Sequence, residues 1–544
     1  MQYKFLAKLT SASFPLSKDF QARTVLVGRL DQNPISSSNT DQSKSILEKE
    51  DNAPEVLYME NVLPTLHGYK SVSFDTITED YVDLGVGETF TYAISLRTIT
   101  TSAILGITST GRALLFSGTG FNIWEDITPV GATGSDITTA FVQGTLYICY
   151  ANFDVFSVDL VNKQMVSVSL LGITKSNIIG ITQSNSYLII HDGQTIYWSS
   201  PLNPLDFVPS LITGAGSGIP LGLKGSIIKL EEIQNGFAIY SSTNIAVAVY
   251  SGNIRYPWIF AEANNSSGIA NISAVSTSGD DGTNYAWTAA GLLKVSVRGC
   301  NPFLPEVTDF LTSRLWEEFD IDSAEFSTEF LTDDLNIALT FVSARYLIIS
   351  YGRADYEYAL IYDITLRRLG KIKLDHIAVI DFTLSSQKDF ATFNALAAIT
   401  FNDLANTPFS ELYAFTQAPT SPKKTIAFVN SNGGIKLANF DIGDFTSTSV
   451  LVLGKYQLVR EKLITVQEID VEGVYPDNDN FSLKILPSLD GKNFDPELVP
   501  YLANNSGLLR SYLSLVTARN FSLIISGSFN LTSLQIAIST HGNR

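Results

Sequence analysis

FAIYSSTNIAVAVYS, residues 237–251, is an apolar run, a short polar turn and a second apolar run. Val, Ile, Tyr and Phe fill the runs, and the turn holds Ser, Thr and Asn, so the stretch reads as a β-hairpin. The same phrase occurs as ALLFSGTGFNIWEDI from Ala113, LYICYANFDVFSVDL from Leu146, YLIIHDGQTIYWSS from Tyr187, YAWTAAGLLKVSVRG from Tyr285 and YLIISYGRADYEYALIYDI from Tyr346. ELYAFTQAPTSPKKTIAFV from Glu411 is a looser late copy. The clear copies start about 33 to 61 residues apart, which brackets the ~40–50 residues of one four-stranded propeller blade. A blade cannot bury both of its faces alone, so repeated blades must stack radially. The pattern predicts an all-β chain organised as a β-propeller of about 6–8 blades.

Outward from the repeats the pattern changes twice. Residues 1–80 lack the hairpin rhythm and predict an N-terminal arm, with DQNPISSSNTDQSKSILEKED from Asp31 as an exposed polar stretch. Residues 81–440 form the expected propeller, and residues 441–544 predict a separate C-terminal β-sandwich-like domain of five to seven strands. Two segments depart from blade economy. NPLDFVPSLITGAGSGIPLG from Asn203 is a Pro/Gly loop longer than a blade turn needs. DFLTSRLWEEFDIDSAEF, within Asn301 to Asp334, is the best helix candidate, with Leu311, Leu315, Trp316 and Phe319 near helical spacing.

Composition supports a large core. Of 544 residues 45% are apolar and 17% charged, with 32 Phe and 23 Tyr. The net charge of −18 opposes gripping nucleic acid, because phosphate neutralisation by Lys and Arg supplies most of that affinity. Acidity either keeps a large β-protein soluble or provides a surface that DNA passes without sticking. The N-terminus MQYKFLAKLTSASF has a Lys within its apolar stretch, so no secretory signal is expected. No window reaches ~18 uninterrupted apolar residues, so no membrane span is expected, and the chain reads as a soluble product of a cytoplasm.

Chemistry-bearing residues are sparse. The four histidines are His67, His191, His376 and His541. His191 reads as part of a hairpin turn, His541 as a chain end, and His67 and His376 as structural residues in apolar surroundings. A glycosidase needs two facing carboxylates. Asp154, Asp192, Glu317, Glu318 and Asp355 are candidates, and each also reads as a solvated turn residue. Cys149 sits in an apolar strand and Cys300 begins a turn, with no metal-binding spacing between them. SGDDGTN at Ser278 lacks the Glu of a calcium loop, and GAGSG at Gly214 lacks the Lys and helix of a phosphate loop. The latter reads as a flexible loop. Among the tryptophans, Trp198 and Trp287 fall in strands and are expected between blades, Trp316 is a further aromatic, and Trp124 and Trp258 follow turns and are expected to be exposed. No catalytic, metal-binding or cofactor-binding residue is assigned, and no cofactor is expected.

IYWSSPLNPLDFVPSLITGAGS, Ile196 to Ser217, resembles a run in propeller proteins of short-tailed bacteriophage tails. There a Tyr/Trp-Ser-Ser strand end leads into a Pro-containing loop, a DF-x-PS step and a Gly-rich stretch. YMENVLPTLHGYKSV, Tyr58 to Val72, resembles the opening of such chains. GKYQLVREKLITVQEIDVEG, Gly454 to Gly473, and SLDGKNF, Ser488 to Phe494, resemble their terminal β-domain. The resemblance implies a non-enzymatic tail nozzle or hub protein, similar to tail tubular protein B and the packaged-DNA stabilisation proteins. It implies a homohexameric ring in the virion tail, which meets an adaptor on the portal side and tail fibres or spikes, and holds back genomic DNA before conducting it. The alternative from the residues themselves is a carbohydrate-binding or carbohydrate-cleaving propeller that binds receptor, and a third is a bacterial surface or scaffold propeller.

Overall fold

The computed structural model describes residues 2–8, 56–384, 423–439 and 449–540, apart from short stretches inside those ranges. Seven four-stranded antiparallel blades follow one another. Their inner strands are Phe90–Arg97, Ile137–Val142, Gly180–Ser184, Ile227–Ile233, Val275–Thr277, Asn336–Val342 and Ala378–Leu384. In blades two and three the inner strand returns through a two-residue turn with positive φ at both central residues, Gln143–Gly144 and Asn185–Ser186, while the three-residue turn of blade six has positive φ at its first two residues, Ser343 and Ala344. The two-residue turn has the twist an antiparallel pair requires.

The near-continuous apolar runs are explained by burial on both faces. Along Tyr187–His191, Leu188 and Ile190 pack against blade two, while Tyr187 and Ile189 pack against blade four. Along Gly236–Ser241, Phe237 and Ile239 turn to blade three, and Ala238 and Tyr240 to blade five. Seven such clusters join each blade to the next. The last of them closes the circle, packing Ile380, Phe382, Ala427 and Val429 of blade seven on Phe90, Phe116 and Trp124 of blade one.

Closure is also made by hydrogen bonds between strands from distant parts of the chain. Blade seven takes three strands from Ala378–Leu384, Lys423–Val429 and Ile435–Asn439, and its outer strand from Ser73–Thr78. Chain segments from both ends therefore share one blade, which ties the ring shut.

Residues 56–78 do not form an arm that stands apart. Val56–Glu60 joins Ser449–Tyr456, Asn520–Gly527 and Ser482–Ser488 in one sheet of the sandwich. Val62–Pro64 and Tyr69–Ser71 join the facing sheet with Asn530–Thr540, Ile464–Val474, Leu509–Ala518 and Tyr501–Asn505, and Gln2–Lys8 lies along Asn530–Thr540. Met59, Leu451, Ile469, Leu523 and Ile536 lie in the core between the two sheets. The second sheet continues into blade six, because Val62–Pro64 also pairs with Arg368–His376. The sandwich is therefore fused to the propeller through shared strands.

The helix candidate is corrected. A helix spans only Pro305–Thr312, with Val307 and Leu311 one turn apart and buried between blades five and six. Leu315–Asp320 and Glu325–Phe330 are instead an antiparallel hairpin, so Leu315, Trp316 and Phe319 lie in a strand. The helix begins with Pro305, whose fixed φ suits a first turn. The stretch from Asp31, and the first half of the late repeat from Glu411, lie outside the described residues.

Candidate functional site: the axis and a braced projection

Polar side chains of the inner strands link neighbouring blades around the axis. The Gln183 side chain accepts from the Phe141 backbone N–H at 2.7 Å and donates to Glu232 at 3.1 Å, linking blades two, three and four. Lys229 reaches the Val275 carbonyl at 2.9 Å and Glu231 at 3.0 Å. Burial, and then the Glu231 carboxylate, hold the Tyr92 phenol above its ordinary range. Tyr92 is on the inner strand of blade one and Glu231 on that of blade four, so the two are in electrostatic reach across the axis.

The second feature leaves blade three between its last two strands, Ile196–Trp198 and Gly216–Gly218. Its loop is held by local hydrogen bonds. Ser200 N–H donates to the Asp206 carbonyl at 2.8 Å, Leu205 N–H to Asn203 Oδ1 at 3.1 Å, and Val208 N–H to Asp206 Oδ1 at 3.0 Å. Phe207 is buried between blades two and three, and Phe207 N–H donates to the Leu171 carbonyl at 2.9 Å. Further along, Gly214 N–H donates to the Ser210 carbonyl at 2.9 Å and Ile212 N–H to Ser210 Oγ at 3.2 Å. These short polar side chains do what Asx and ST turns do elsewhere, replacing ladder bonds with local ones.

GAGSG is thus no flexible loop. The Trp198 indole donates to the Gly214 carbonyl at 3.0 Å and lies across the outer strand, where a Cβ on Gly216 would stand 3.0 Å from its ring. Gly214 has φ +75°, and a Cβ there would stand 2.9 Å from the Ile254 carbonyl. The glycines therefore permit a close approach of the projection to the Ser251–Pro257 turn of blade four. The sequence motif was visible, but its cause, an indole and a neighbouring blade's backbone, is not local.

The tip is apolar and faces water. Ile212 is 90% exposed and Leu211 61%, and across the junction Tyr256 is 68% and Ile254 46% exposed. Isolated exposed apolar residues are ordinary, but a contiguous group on a rigid support is the mark of an interaction surface.

The residues singled out for chemistry are spread over separate blades. His191 is not in a turn: it ends a strand, is fully buried, and among the described residues neither ring nitrogen has a hydrogen-bond partner. Burial pulls its pKa down to about 4. His376 is buried too, with Nε2 2.8 Å from Ser350 Oγ and Nδ1 2.6 Å from the Leu374 carbonyl. Asp154 is paired with Lys175 at 2.8 Å and accepts from Ser167 Oγ at 2.6 Å. Asp192 accepts from the backbone N–H groups of Gln194 and Thr195 and from the Tyr197 hydroxyl, as a turn residue. Asp355 is exposed beside blade six, and Glu317 and Glu318 lie in the Leu315–Asp320 strand. Cys149 and Cys300 are free and buried in different blade interfaces, where burial pushes their thiols up to about 12 and about 11. Trp198 and Trp287 pack between blades. Trp124 and Trp258 are buried rather than exposed, because each begins an outer strand and packs against a Phe of its own blade, tilted on Phe90 and edge-on to Phe237. His67, His541 and residues 278–281 lie outside the described residues.

Among the described residues no cluster of His, Cys, Asp or Glu could hold a metal ion, and no helix is long and apolar enough to cross a membrane. Glu88, Arg112 and Asp126 form a charged group, with Arg112 3.1 Å from Glu88 and 2.9 Å from Asp126. Burial raises Glu88, but donors from Thr108, Thr110, Gly85 and Arg112 outweigh it and bring its pKa down to about 2.

No protein-family model matches the chain, and no curated protein matches it. Solved structures do. The WD40 β-propeller domain of Doa1 matches at 12% identity and TM-score 0.35, over 70% of this chain and 100% of that one. U3-55K matches at 8% identity and TM-score 0.40, over 68% of this chain and 98% of that one. The RRP9 WD40 repeats match at 8% identity and TM-score 0.39, over 67% of this chain and 97% of that one. The likeness is one of fold alone. The chain is an all-β protein, a seven-bladed β-propeller fused to a β-sandwich.

Proposed function

We propose that the chain is a structural subunit of a virion tail, a nozzle or hub protein that assembles around the tail axis as a homohexameric ring, retains packaged DNA and then conducts it. The observation that carries this reading is the braced projection of blade three, which presents Leu211 and Ile212 to solvent on a support too well bonded to be a lid. The projection is also the segment whose sequence resembles the tail proteins. The other two resembling segments become the fused seam at Val56–Pro64 and the sandwich strands around Ile464–Val474. A body with shared strands between propeller and sandwich transmits load from one end to the other, as a tail component must.

In this reading the conduit is the opening between copies, around the shared tail axis. The net charge of −18 suits a wall that repels the phosphate backbone. Adaptor proteins on the portal side and fibres or spikes are the partners expected of the ring.

Two measurements on purified protein test the proposal. Sedimentation velocity should give a closed oligomer, and a monomer at all concentrations contradicts it. Incubation with host surface polysaccharide should release no reducing ends. Hydrolysis abolished by a single Asp or Glu to Ala change would establish the glycosidase reading instead.

A further inference from the structure

A second exposed apolar surface lies on the sandwich. From Tyr512 to its end the strand Leu509–Ala518 alternates buried and exposed residues, and its outward face shows Leu513 at 48% and Leu515 at 85% exposure. Tyr501, paired with Leu513 on the edge strand Tyr501–Asn505, is 74% exposed. On the other side of Leu513 stands Glu468.

The two apolar surfaces lie far apart on one molecule. Blade six is three places from blade three in a ring of seven, nearly opposite. From blade six the sheet runs six strand steps outward to its edge at Tyr501–Asn505, roughly 29 Å at ~4.8 Å per step. One subunit therefore cannot cover its own projection with its own sandwich.

The surfaces also differ in charge. Arg255 is exposed between Ile254 and Tyr256 at the projection, and Glu468 borders Leu513 on the sandwich. Among the described residues neither has an ion-pair partner within the subunit. An apolar tip that carries one unpaired Arg and an apolar sheet face that carries one unpaired Glu are complementary.

We infer that the blade-three projection of one copy docks on the outer face of the sandwich of the next, with Leu211, Ile212 and Tyr256 against Tyr501, Leu513 and Leu515, and Arg255 near Glu468. The contact is heterologous: two different patches meet head to tail, which generates a ring when the rotation closes and a filament when it does not. The inference rests on the self-assembling reading above and names the surfaces that reading leaves open.

The experiment uses the full chain. Cys149 and Cys300 are buried, so introduced thiols report cleanly. Ile212→Cys with Leu515→Cys in one chain should give a ladder of disulfide-linked copies under mild oxidation, and either change alone should give none. Separately, Arg255→Glu and Glu468→Arg should each weaken association about tenfold, and the two together should restore it. Self-linking of Ile212→Cys alone shows an isologous contact and overturns the inference. Closed rings that neither cross-link nor respond to the charge changes overturn it while leaving the nozzle reading intact. A chain that stays monomeric overturns both.

Discussion

His191 and Asn61 show how much single residues carry in this fold. A Cβ on Gly180 would stand 2.6 Å from His191 Nε2, so the glycine is what lets the imidazole fit. With both nitrogens unpartnered, the ring is held neutral, and its pKa is lowered from 6.5 to about 4. The unfolded chain therefore binds a proton that the folded chain refuses between those values. Stability is complete above about pH 6.5 and falls as the pH drops toward 4, by up to about 3 kcal/mol from this site. Urea midpoints measured from pH 7 to pH 4 should show that decline, and His191→Phe should flatten part of it. An equal slope in the variant would remove His191 from the account. Asn61 is left-handed, with φ 54°, and its carbonyl accepts from Val72 N–H and Ser449 Oγ, each at 2.8 Å. Its side chain accepts from Lys373 N–H at 3.1 Å, so one residue ties the opening strands, the sandwich and blade six together. Asn61→Ala removes the acceptor and places Ala in a conformation that Asn tolerates better. A loss of about 2–3 kcal/mol is expected by chemical denaturation.

Elements were legible where burial is repetitive. Each hairpin phrase had to be apolar on both faces, and that doubled signal marks the second and third strands of the blades. The outer strand Ser73–Thr78 was not legible, because its partner, Ile435–Asn439, comes from the far end of the propeller. SFDTIT carries little apolar signal of its own, and Phe74 finds its edge-on partner Phe428, at 5.8 Å, only in the closed ring. Trp124 was misread for the same reason: its indole donates to the Gly433 carbonyl of blade seven at 2.7 Å, a contact that exists only after closure. The projection was visible as a departure from blade length, but its rigidity was not, since Trp198 and Ile254 lie outside it. Phe74→Ala should weaken the closure by roughly 2–4 kcal/mol and lower the thermal midpoint by several degrees. An unchanged midpoint would mean that the outer strand does not hold the ring shut.

At the scale of the whole molecule, shared strands join propeller and sandwich, with an apolar tip at one side and an apolar sheet face at the other. Its surplus of acid predicts weak contact with DNA: a mobility-shift assay at low salt should show no retained duplex, where a basic binder would be at its tightest. Retention that weakens steeply with salt would instead reveal a phosphate-binding face. The most direct test of assembly is cryo-electron microscopy of the purified protein. The account predicts closed six-fold rings with an axial opening wide enough for duplex DNA, in which each blade-three projection touches a neighbour's sandwich. Single propellers with no ordered neighbours would contradict it.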